Sequence, residues 1–459
     1  MSRRFDAIIV GAGQAGPPLA GRLTRAGQSV ALIERKLFGG TCVNTGCMPT
    51  KTLVASARAA HMARRAADFG VLLAGKVGID MAKVKSRADT VITNAREGVR
   101  AWLDGMDGCT VIDGHACFAD AQTLRVGDER LTAPQIFLNV GGRAAVPDLP
   151  GLHDIPYLTN TSILGLEQVP AHLLIVGGSY IGLEYAQMYR RFGARVTVVE
   201  KGPHLIGRED EDVSVAVRDI LQGEDIAVRT GVADVAFARE GEAVAVTLDG
   251  ERVVCSHVLV AVGRVPNTDD LGLDQAGVAT DARGYITVDD ELRTNVPEIW
   301  ALGDCNGRGA FTHTSYNDFE IVAANLLDGE RRRLSERVSG YALYIDPPLG
   351  RVGIGEAEAR KRGRPFLVGK RPMSRVGRAV ERDETQGFMK VIVDAETKAI
   401  LGAAILGVEG DEAIHGIIDM MSVGATATQL QHTVPIHPTV SELIPTLIAE
   451  ARAADDPPA

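Results

Sequence analysis

The sequence has few of the features that mark secreted, membrane-spanning or nucleic-acid-binding proteins. Six cysteines in 459 residues are too few for a disulfide-stapled secreted protein. No run of 18 or more apolar residues occurs, so we expect no membrane span. The 59 acidic residues outnumber the 49 basic ones, and a net charge of −10 argues against a nucleic-acid partner. We therefore expect a cytoplasmic protein with no nucleic-acid or membrane role.

Glycine, by contrast, is abundant, and two segments use it in the same arrangement. Each segment is typical of a strand, a glycine turn, a helix, a second strand and an acidic residue. This is the βαβ dinucleotide fingerprint, in which N–H groups at the helix N-terminus bind a pyrophosphate and the acid binds a ribose hydroxyl. The acid follows the first turn residue by 23 positions in both copies. The first copy consists of Gly11, Gly13, Gly16 and Glu34, and the second of Gly177, Ser179, Gly182 and Glu200.

The two copies depart from the ideal pattern at two places. Ser179 replaces the middle glycine of the second copy, so a pyrophosphate bound there must tolerate a small side chain. Pro17 and Pro18 follow the first glycine motif, and proline is acceptable only in the first turn of a helix. Two dinucleotides bound to one chain would form an electron relay between cofactors.

The most specific motif contains two closely spaced cysteines, in the segment Gly39-Gly-Thr-Cys-Val-Asn-Thr-Gly-Cys-Met-Pro-Thr-Lys51. In a regular helix, residues five apart have Cα atoms roughly 8–9 Å apart, whereas a disulfide needs less than about 7 Å. A bond between Cys42 and Cys47 therefore requires a distorted backbone, which residues 44–46 tolerate. A small ring of this kind is easily reduced and suits catalysis. The alternative is a pair of buried free thiols.

With these motifs the chain resembles, almost end to end, the pyridine nucleotide–disulfide oxidoreductase family of dihydrolipoamide dehydrogenase, glutathione reductase and mercuric reductase. The resemblance implies an α/β fold with two Rossmann-like dinucleotide-binding domains, for FAD and NAD(P), and a C-terminal α+β dimerisation domain. It also implies a homodimer. The expected boundaries are 1–145 for the FAD domain with its redox disulfide, 146–268 for the NAD(P) domain, 269–334 for completion of the FAD domain and 335–459 for dimerisation.

The resemblance assigns catalytic roles near the cysteine motif. Cys42 would attack the substrate, and Cys47 would be the thiolate that faces the flavin. Lys51 would lie near flavin N5 and pair with Glu184. A cation at that position stabilises a reduced, anionic flavin.

Near the C-terminus, the resemblance identifies His437 and Glu442 as a proton-transferring pair that each subunit supplies to the active site of its partner. It implies no metal site. The residues expected to bind the two cofactors are Gly11, Gly13, Gly16, Glu34, Gly40, Thr41, Lys51, Gly141, Gly303, Asp304, Gly177, Ser179, Gly182, Glu200 and Gly263. Of these, the first four would hold the ADP part of FAD, and Asp304 its ribityl side.

The implied function is that of an FAD-dependent NAD(P)H oxidoreductase, which uses a redox-active Cys42–Cys47 disulfide to reduce a disulfide or a thiol-reactive oxidant. No cysteine follows Cys305, so the C-terminal pair with which mercuric reductases capture Hg(II) is missing. The cysteine motif and Arg208-Glu-Asp nevertheless resemble the mercuric-reductase-like branch, which includes reductases of reactive chlorine and hypothiocyanous oxidants.

Two other functions remain open at this point. One is a dihydrolipoamide dehydrogenase, NAD-dependent and docked in a 2-oxoacid dehydrogenase complex. The other is a non-catalytic soft-metal or redox-sensing protein that uses Cys42 and Cys47 as ligands. The nucleotide is also open: Glu200 would repel a 2′-phosphate and favours NADH. Three nearby cationic or titratable residues could offset that preference and allow NADPH, namely Lys201, His204 and Arg208.

Overall fold

The computed structural model describes residues 2–454. Helices and strands alternate in the mixed α/β arrangement that the sequence predicts. The α-helices are α1 Gly16–Arg25, α2 Gly40–Asn44, α3 Cys47–Arg64, α4 Met81–Asp104, α5 Tyr180–Phe192, α6 Glu211–Gly223, α7 Leu273–Ala276, α8 Thr312–Ala323, α9 Glu356–Lys361, α10 Gly377–Glu381, α11 Gly410–Ala413, α12 His415–Ser422, α13 Ala427–Gln431 and α14 Ile444–Ala449.

The strands are short, and most of them belong to three large sheets. They are β1 Ser2–Arg4, β2 Ala7–Val10, β3 Val30–Glu34, β4 Cys109–Asp113, β5 Ala116–Asp120, β6 Thr123–Val126, β7 Glu129–Thr132, β8 Gln135–Leu138, β9 Gly142–Ala144, β10 Tyr157–Leu158, β11 His172–Val176, β12 Arg195–Glu200, β13 Ala227–Thr230, β14 Val235–Glu240, β15 Ala243–Leu248, β16 Glu251–Cys255, β17 His257–Val260, β18 Arg264–Pro266, β19 Ile299–Ala301, β20 Gly340–Leu343, β21 Leu349–Gly353, β22 Phe366–Pro372, β23 Phe388–Asp394, β24 Ile400–Leu406 and β25 Arg452–Ala453.

The domain that contains the first glycine motif is built on a parallel sheet with the strand order β19-β8-β2-β3-β4. All four residues of β2 are buried, because elements cover both faces of the sheet. Helix α1 follows β2 directly, and Pro17 lies in its first turn, the position where proline is tolerated. The chain leaves this sheet after β8 and returns to it at β19, beyond the second nucleotide domain.

The second domain repeats the parallel arrangement with the order β10-β17-β11-β12-β13, and a three-stranded antiparallel sheet, β14-β15-β16, lies beside it. Strands β9 and β18 pair antiparallel where the chain enters and leaves this domain. This ribbon lies next to the domain boundaries expected near residues 145 and 268.

The C-terminal domain contains a sheet with the order β20-β21-β24-β23-β22-β25. Its core packs strands β23 and β24 against the helices that follow them, through buried residues such as Val391, Ile405, Ile417 and Leu447. Within residues 2–454, no helix is both long and apolar enough to cross a membrane.

Candidate active site

A cavity of about 680 Å³ lies where the three domains meet, at the carboxyl ends of the first parallel sheet. This volume is typical of small-molecule sites, and the wall contains both the first glycine motif and the two cysteines. The predicted residues that line it are Gly11, Gly13, Glu34, Gly40, Thr41, Cys42, Cys47, Lys51, Gly141, Glu184 and Asp304. The other predicted cofactor residues lie outside its wall, namely Gly16, Gly303, Gly177, Ser179, Gly182, Glu200 and Gly263.

The first glycine of each fingerprint occupies a position that a side chain could not. Gly11 and Gly177 have φ angles of +107° and +118°. A β-carbon on Gly11 would lie 2.2 Å from the carbonyl oxygen of Asn139, and one on Gly177 would lie 2.3 Å from that of Ala261. Each loop therefore passes close to the neighbouring strand end, which leaves room for a pyrophosphate in front of the helix N-terminus.

The fingerprint acids have the same surroundings in both domains. Glu34 accepts hydrogen bonds from the backbone N–H groups of Ala12, at 2.9 Å, and Lys36, at 2.8 Å. Glu200 accepts two as well, from Gly178 and Gly202, both at 2.7 Å. These bonds hold each carboxylate at the end of its strand, and the remaining lone pairs can accept a ribose hydroxyl.

The cysteine motif interrupts its helix, as a close approach of the two sulfurs requires. Helix α2 ends at Asn44, and α3 begins at Cys47. Between them Gly46 adopts φ −132° and ψ −117°, well away from helical values. Both cysteines are free thiols, and they are near enough for each side chain to change the acidity of the other. This proximity suits thiol–disulfide chemistry.

The two thiols differ in acidity. The hydrogen bond from Cys42 lowers the pKa of Cys47 to about 6 against the effect of burial, and the Thr312 hydroxyl and Lys51 lower it further. The sulfur of Cys47 lies 3.1 Å from the Thr312 hydroxyl oxygen. Donating the bond to Cys47, together with burial, raises the pKa of Cys42. Cys47 is therefore the thiolate of the pair at neutral pH, and Cys42 keeps its proton until a base removes it.

Lys51 and Glu184 form an ion pair beside the cysteines. The Lys51 ammonium lies 2.8 Å from Glu184 Oε2, and the Glu184 side chain is only 5% exposed. The other oxygen, Glu184 Oε1, accepts a 3.1 Å hydrogen bond from the backbone N–H of Tyr344. The Tyr344 ring also lies 4.4 Å from the Lys51 nitrogen, in cation–π geometry. The cation is thus held on the cavity wall by residues from two other parts of the chain.

The domain architecture matches a known family over almost the whole chain. Residues 5–318 match the model of the pyridine nucleotide-disulphide oxidoreductases, and residues 340–448 match the dimerisation domain of the same family. The chain belongs to the pyridine nucleotide-disulphide oxidoreductase family.

Its relatives include several kinds of reductase. The chain is 35% identical over 449 residues to "Probable pyridine nucleotide-disulfide oxidoreductase RclA" of Escherichia coli, covering 96% of this chain and 97% of that protein. It is 33% identical to a mercuric reductase of Streptomyces lividans, with 96% and 94% covered. The solved structure of the HOCl-induced flavoprotein disulfide reductase RclA from Escherichia coli superposes with a TM-score of 0.88 at 34% identity, covering 97% of this chain and 99% of that one. This oxidoreductase is therefore a flavoprotein disulfide reductase that uses FAD and a pyridine nucleotide.

The cavity of this oxidoreductase fits FAD by the chemistry of its wall. The glycine turn and Glu34 would hold the ADP portion, and Cys47 and Lys51 would flank the flavin. Asp304 faces the cavity between these ends; burial raises the pKa of its carboxyl, and Arg264 opposes that effect from 3.4 Å. A half-buried carboxyl of this kind is suited to hydrogen bonding with a ribityl hydroxyl.

The predicted proton-transferring pair is formed, but away from the cavity of its own chain. His437 Nδ1 lies 2.8 Å from Glu442 Oε2, and the imidazole is 82% exposed. Two apolar neighbours, Val434 and Ile436, are 95% and 79% exposed. All four residues lie within the match to the dimerisation domain. The exposure of His437, Val434 and Ile436 is what an interface with a second subunit would require.

Among the wall residues that the sequence-based prediction missed are Thr312, Tyr344 and Asn139. Thr312 follows a Gly/Ala-containing loop that carries no motif. Tyr344 lies in the C-terminal domain and reaches the cavity only through the fold. Asn139 could have been anticipated, because it follows β8 at the carboxyl end of a parallel strand, where nucleotide-binding side chains collect; its amide donates a hydrogen bond to the carbonyl oxygen of Gly11 at 3.4 Å.

The soft-metal alternative gains no support from the fold. In residues 2–454, His, Cys, Asp and Glu side chains form no group of three or more that could hold a metal ion. The membership of the family instead favours redox chemistry at the thiol pair.

Proposed function

We propose that this reductase works in the cytoplasm, where it uses a reduced nicotinamide to reduce a small, thiol-reactive oxidant of the reactive-chlorine class. The observation that carries the proposal is the thiol pair, with a low-pKa Cys47 and a protonated Cys42 on the wall of the dinucleotide-binding cavity. The likeness to RclA, described as HOCl-induced, supports an oxidant as the acceptor.

In this proposal the two thiols have different roles: Cys42 attacks the oxidant, and Cys47 then forms the disulfide. When bound, FAD supplies the electron relay between the reduced nicotinamide and the cysteines. Cys42, once deprotonated, attacks the oxidant: with hypochlorous acid its sulfur takes the chlorine and hydroxide leaves. The Cys47 thiolate then attacks the Cys42 sulfur and expels chloride, which forms the Cys42–Cys47 disulfide. The two thiols lose two electrons, and hypochlorous acid becomes chloride and water.

We also propose that each active site is built from both subunits of a homodimer. His437 of one chain would remove and return the proton of Cys42 in the other, while Glu442 orients the imidazole through the bond to Nδ1. The exposed position of His437 and the raised pKa of Cys42 support this arrangement, since Cys42 needs a base.

A stopped-flow comparison of acceptors tests the proposed function. The two-electron-reduced enzyme is mixed with hypochlorous acid, hypothiocyanous acid, glutathione disulfide, lipoamide or Hg(II). We expect the oxidants to reoxidise it fastest, and enzyme alkylated at Cys42 to react slowly with every acceptor. Fastest reoxidation by lipoamide would contradict the proposal.

A second candidate is a dihydrolipoyl dehydrogenase. A protein of this name from Haloarcula marismortui is 34% identical over 462 residues, covering 97% of this chain and 96% of that protein. The His437–Glu442 pair also suits proton transfer to and from a dithiol. Rapid turnover with dihydrolipoamide and NAD, together with co-purification with an acyltransferase core, would establish this function instead.

We propose NADH as the preferred reductant and expect Glu200→Gln to weaken the preference. Glu200 is held by two backbone N–H groups at the end of β12, where its charge would repel a 2′-phosphate. Neutralising it should shift the ratio of kcat/KM for NADH over NADPH by about tenfold toward NADPH. Steady-state kinetics with both nucleotides measure the shift.

Glu251→Gln is the matched control for this experiment. Glu251 is an exposed carboxylate of the same domain that pairs with Arg229 at 2.9 Å, so its loss should leave the ratio unchanged. A wild-type enzyme that prefers NADPH would contradict the assignment of NADH.

A further inference from the structure

Helices α3 and α5 pack against each other and carry charged residues at matching intervals. On α3, Arg58 follows Lys51 by seven residues, and on α5, Arg191 follows Glu184 by seven. Seven residues are close to two helical turns, so each pair lies on one face of its helix. The two helices therefore carry charged residues at two levels. The upper level, at the cavity, is the Lys51–Glu184 ion pair. The lower level, two turns along, consists of Arg58 and Arg191.

One short segment of the C-terminal domain contacts both levels of this arrangement. At the upper level, the backbone of Tyr344 binds Glu184 and its ring packs on Lys51. At the lower level, the Asp346 carboxylate binds Arg58 with one oxygen and Arg191 with the other, the latter at 2.5 Å. The residues that make these contacts, Tyr344 and Asp346, are two positions apart in the chain.

Asp346 also contacts α5 through its backbone. Its N–H donates to Gln187 Oε1 at 2.7 Å, and its carbonyl oxygen accepts from Gln187 Nε2 at 2.8 Å. Gln187 lies between Glu184 and Arg191 on α5. The segment 344–346 is therefore bound to α5 at three successive points and to α3 at two.

The lower level is largely buried, and each of its two arginines has two carboxylate partners. Arg191 and Asp346 are 5% and 11% exposed. Arg191 has a second carboxylate in Glu224, at 2.7 Å, and Arg58 has one in Glu384, also at 2.7 Å. A buried network of this kind contributes little net stability but restricts geometry, because every partner must be in place.

We infer that Asp346 is a positioning residue, which fixes the relative position of α3 and α5 and thereby holds Lys51 beside Cys47. The inference deepens the proposed function, since it rests on the role given there to the Cys47 thiolate. It also makes the C-terminal domain a structural part of the redox site, because Tyr344 and Asp346 belong to it. Lysine has a long, flexible side chain, so its position depends on such external contacts.

The test is the pH dependence of Cys47 alkylation in the holoenzyme. The background is Cys42→Ser, in which serine retains a hydroxyl donor toward Cys47, and site-resolved mass spectrometry follows the reaction with iodoacetamide. Besides the substituted position 42, the groups that face Cys47 are Thr312, Lys51, Glu184 and Tyr344. Alkylation should rise with pH as the thiolate forms.

Asp346→Asn should raise the apparent pKa of Cys47 by about 0.5–1 unit, because Lys51 moves away and its attraction weakens. The same substitution made together with Lys51→Met should cause no additional rise over Lys51→Met alone, as a double-mutant cycle requires for a residue that acts through Lys51. Arg58→Gln, at a residue one-third exposed, should shift the pKa in the same direction without threatening the fold.

Asp210→Asn is the matched control, because Asp210 is a buried carboxylate that joins the second domain to the C-terminal domain through Lys390 at 3.1 Å. It should leave the pKa of Cys47 unchanged. The inference is overturned if Asp346→Asn and Arg58→Gln cause no shift, or if Asp346→Asn causes an equal shift with and without Lys51. An ordinary thiol pKa for Cys47 in the starting background would count against the proposed function, while the comparison of the two Lys51 backgrounds would still decide the role of Asp346.

Discussion

Cys42→Ser will abolish reduction of the electron acceptor while the reduced nicotinamide, NADH or NADPH, still reduces the bound flavin. A serine hydroxyl at this position is a weak nucleophile and cannot close a disulfide with Cys47. Turnover with disulfides or oxidants should fall by about three orders of magnitude or more, the scale expected when a covalent nucleophile is removed. Stopped-flow absorbance separates the two half-reactions, since flavin bleaching reports the first and acceptor consumption the second.

Cys109→Ser serves as the control for this prediction. Cys109 lies on β4, outside the cavity wall, and burial raises the pKa of its thiol to about 11. We expect normal turnover from this variant. If Cys42→Ser retained full turnover with acceptors, electrons would have to leave the protein by a route other than the thiol pair.

His437→Gln will lower acceptor turnover by about 10²–10⁴-fold, the range for loss of a general acid–base group. Gln can still hydrogen bond to Glu442 but cannot exchange a proton with Cys42. Flavin reduction by the reduced nicotinamide should be little changed, because that step does not need the thiol proton. His432→Gln, at a neighbouring exposed histidine, should behave as the wild type.

Mixing two inactive variants tests whether His437 acts across the dimer. Cys42→Ser and His437→Gln chains are unfolded together, refolded with FAD and assayed. Half of the randomly paired dimers are hybrids, and each hybrid has one intact site if the sites are shared, so about a quarter of the wild-type activity should return. Failure to recover activity, with hybrids shown by mass spectrometry, would place His437 and Cys42 in the same chain.

Local spacing made a large part of the site predictable. The two glycine motifs and their acids lie within single βαβ units, where a strand, a turn and a helix follow each other directly in the chain. The backbone break between Cys42 and Cys47 could be anticipated for the same reason, since the distance between two residues five apart depends on the conformation between them. Recognition of the family then implied the partnership of Lys51 with Glu184, which periodicity alone could not.

Other features depend on the path of the chain through three domains. Sequence alone determined the two dinucleotide folds and the thiol motif, because side-chain type and short spacing specify local backbone structure. Only the tertiary structure brought Thr312 to the Cys47 sulfur and Asp346 between Arg58 and Arg191. Those contacts join residues more than a hundred positions apart, and they form only when separately folded layers bury their surfaces against one another.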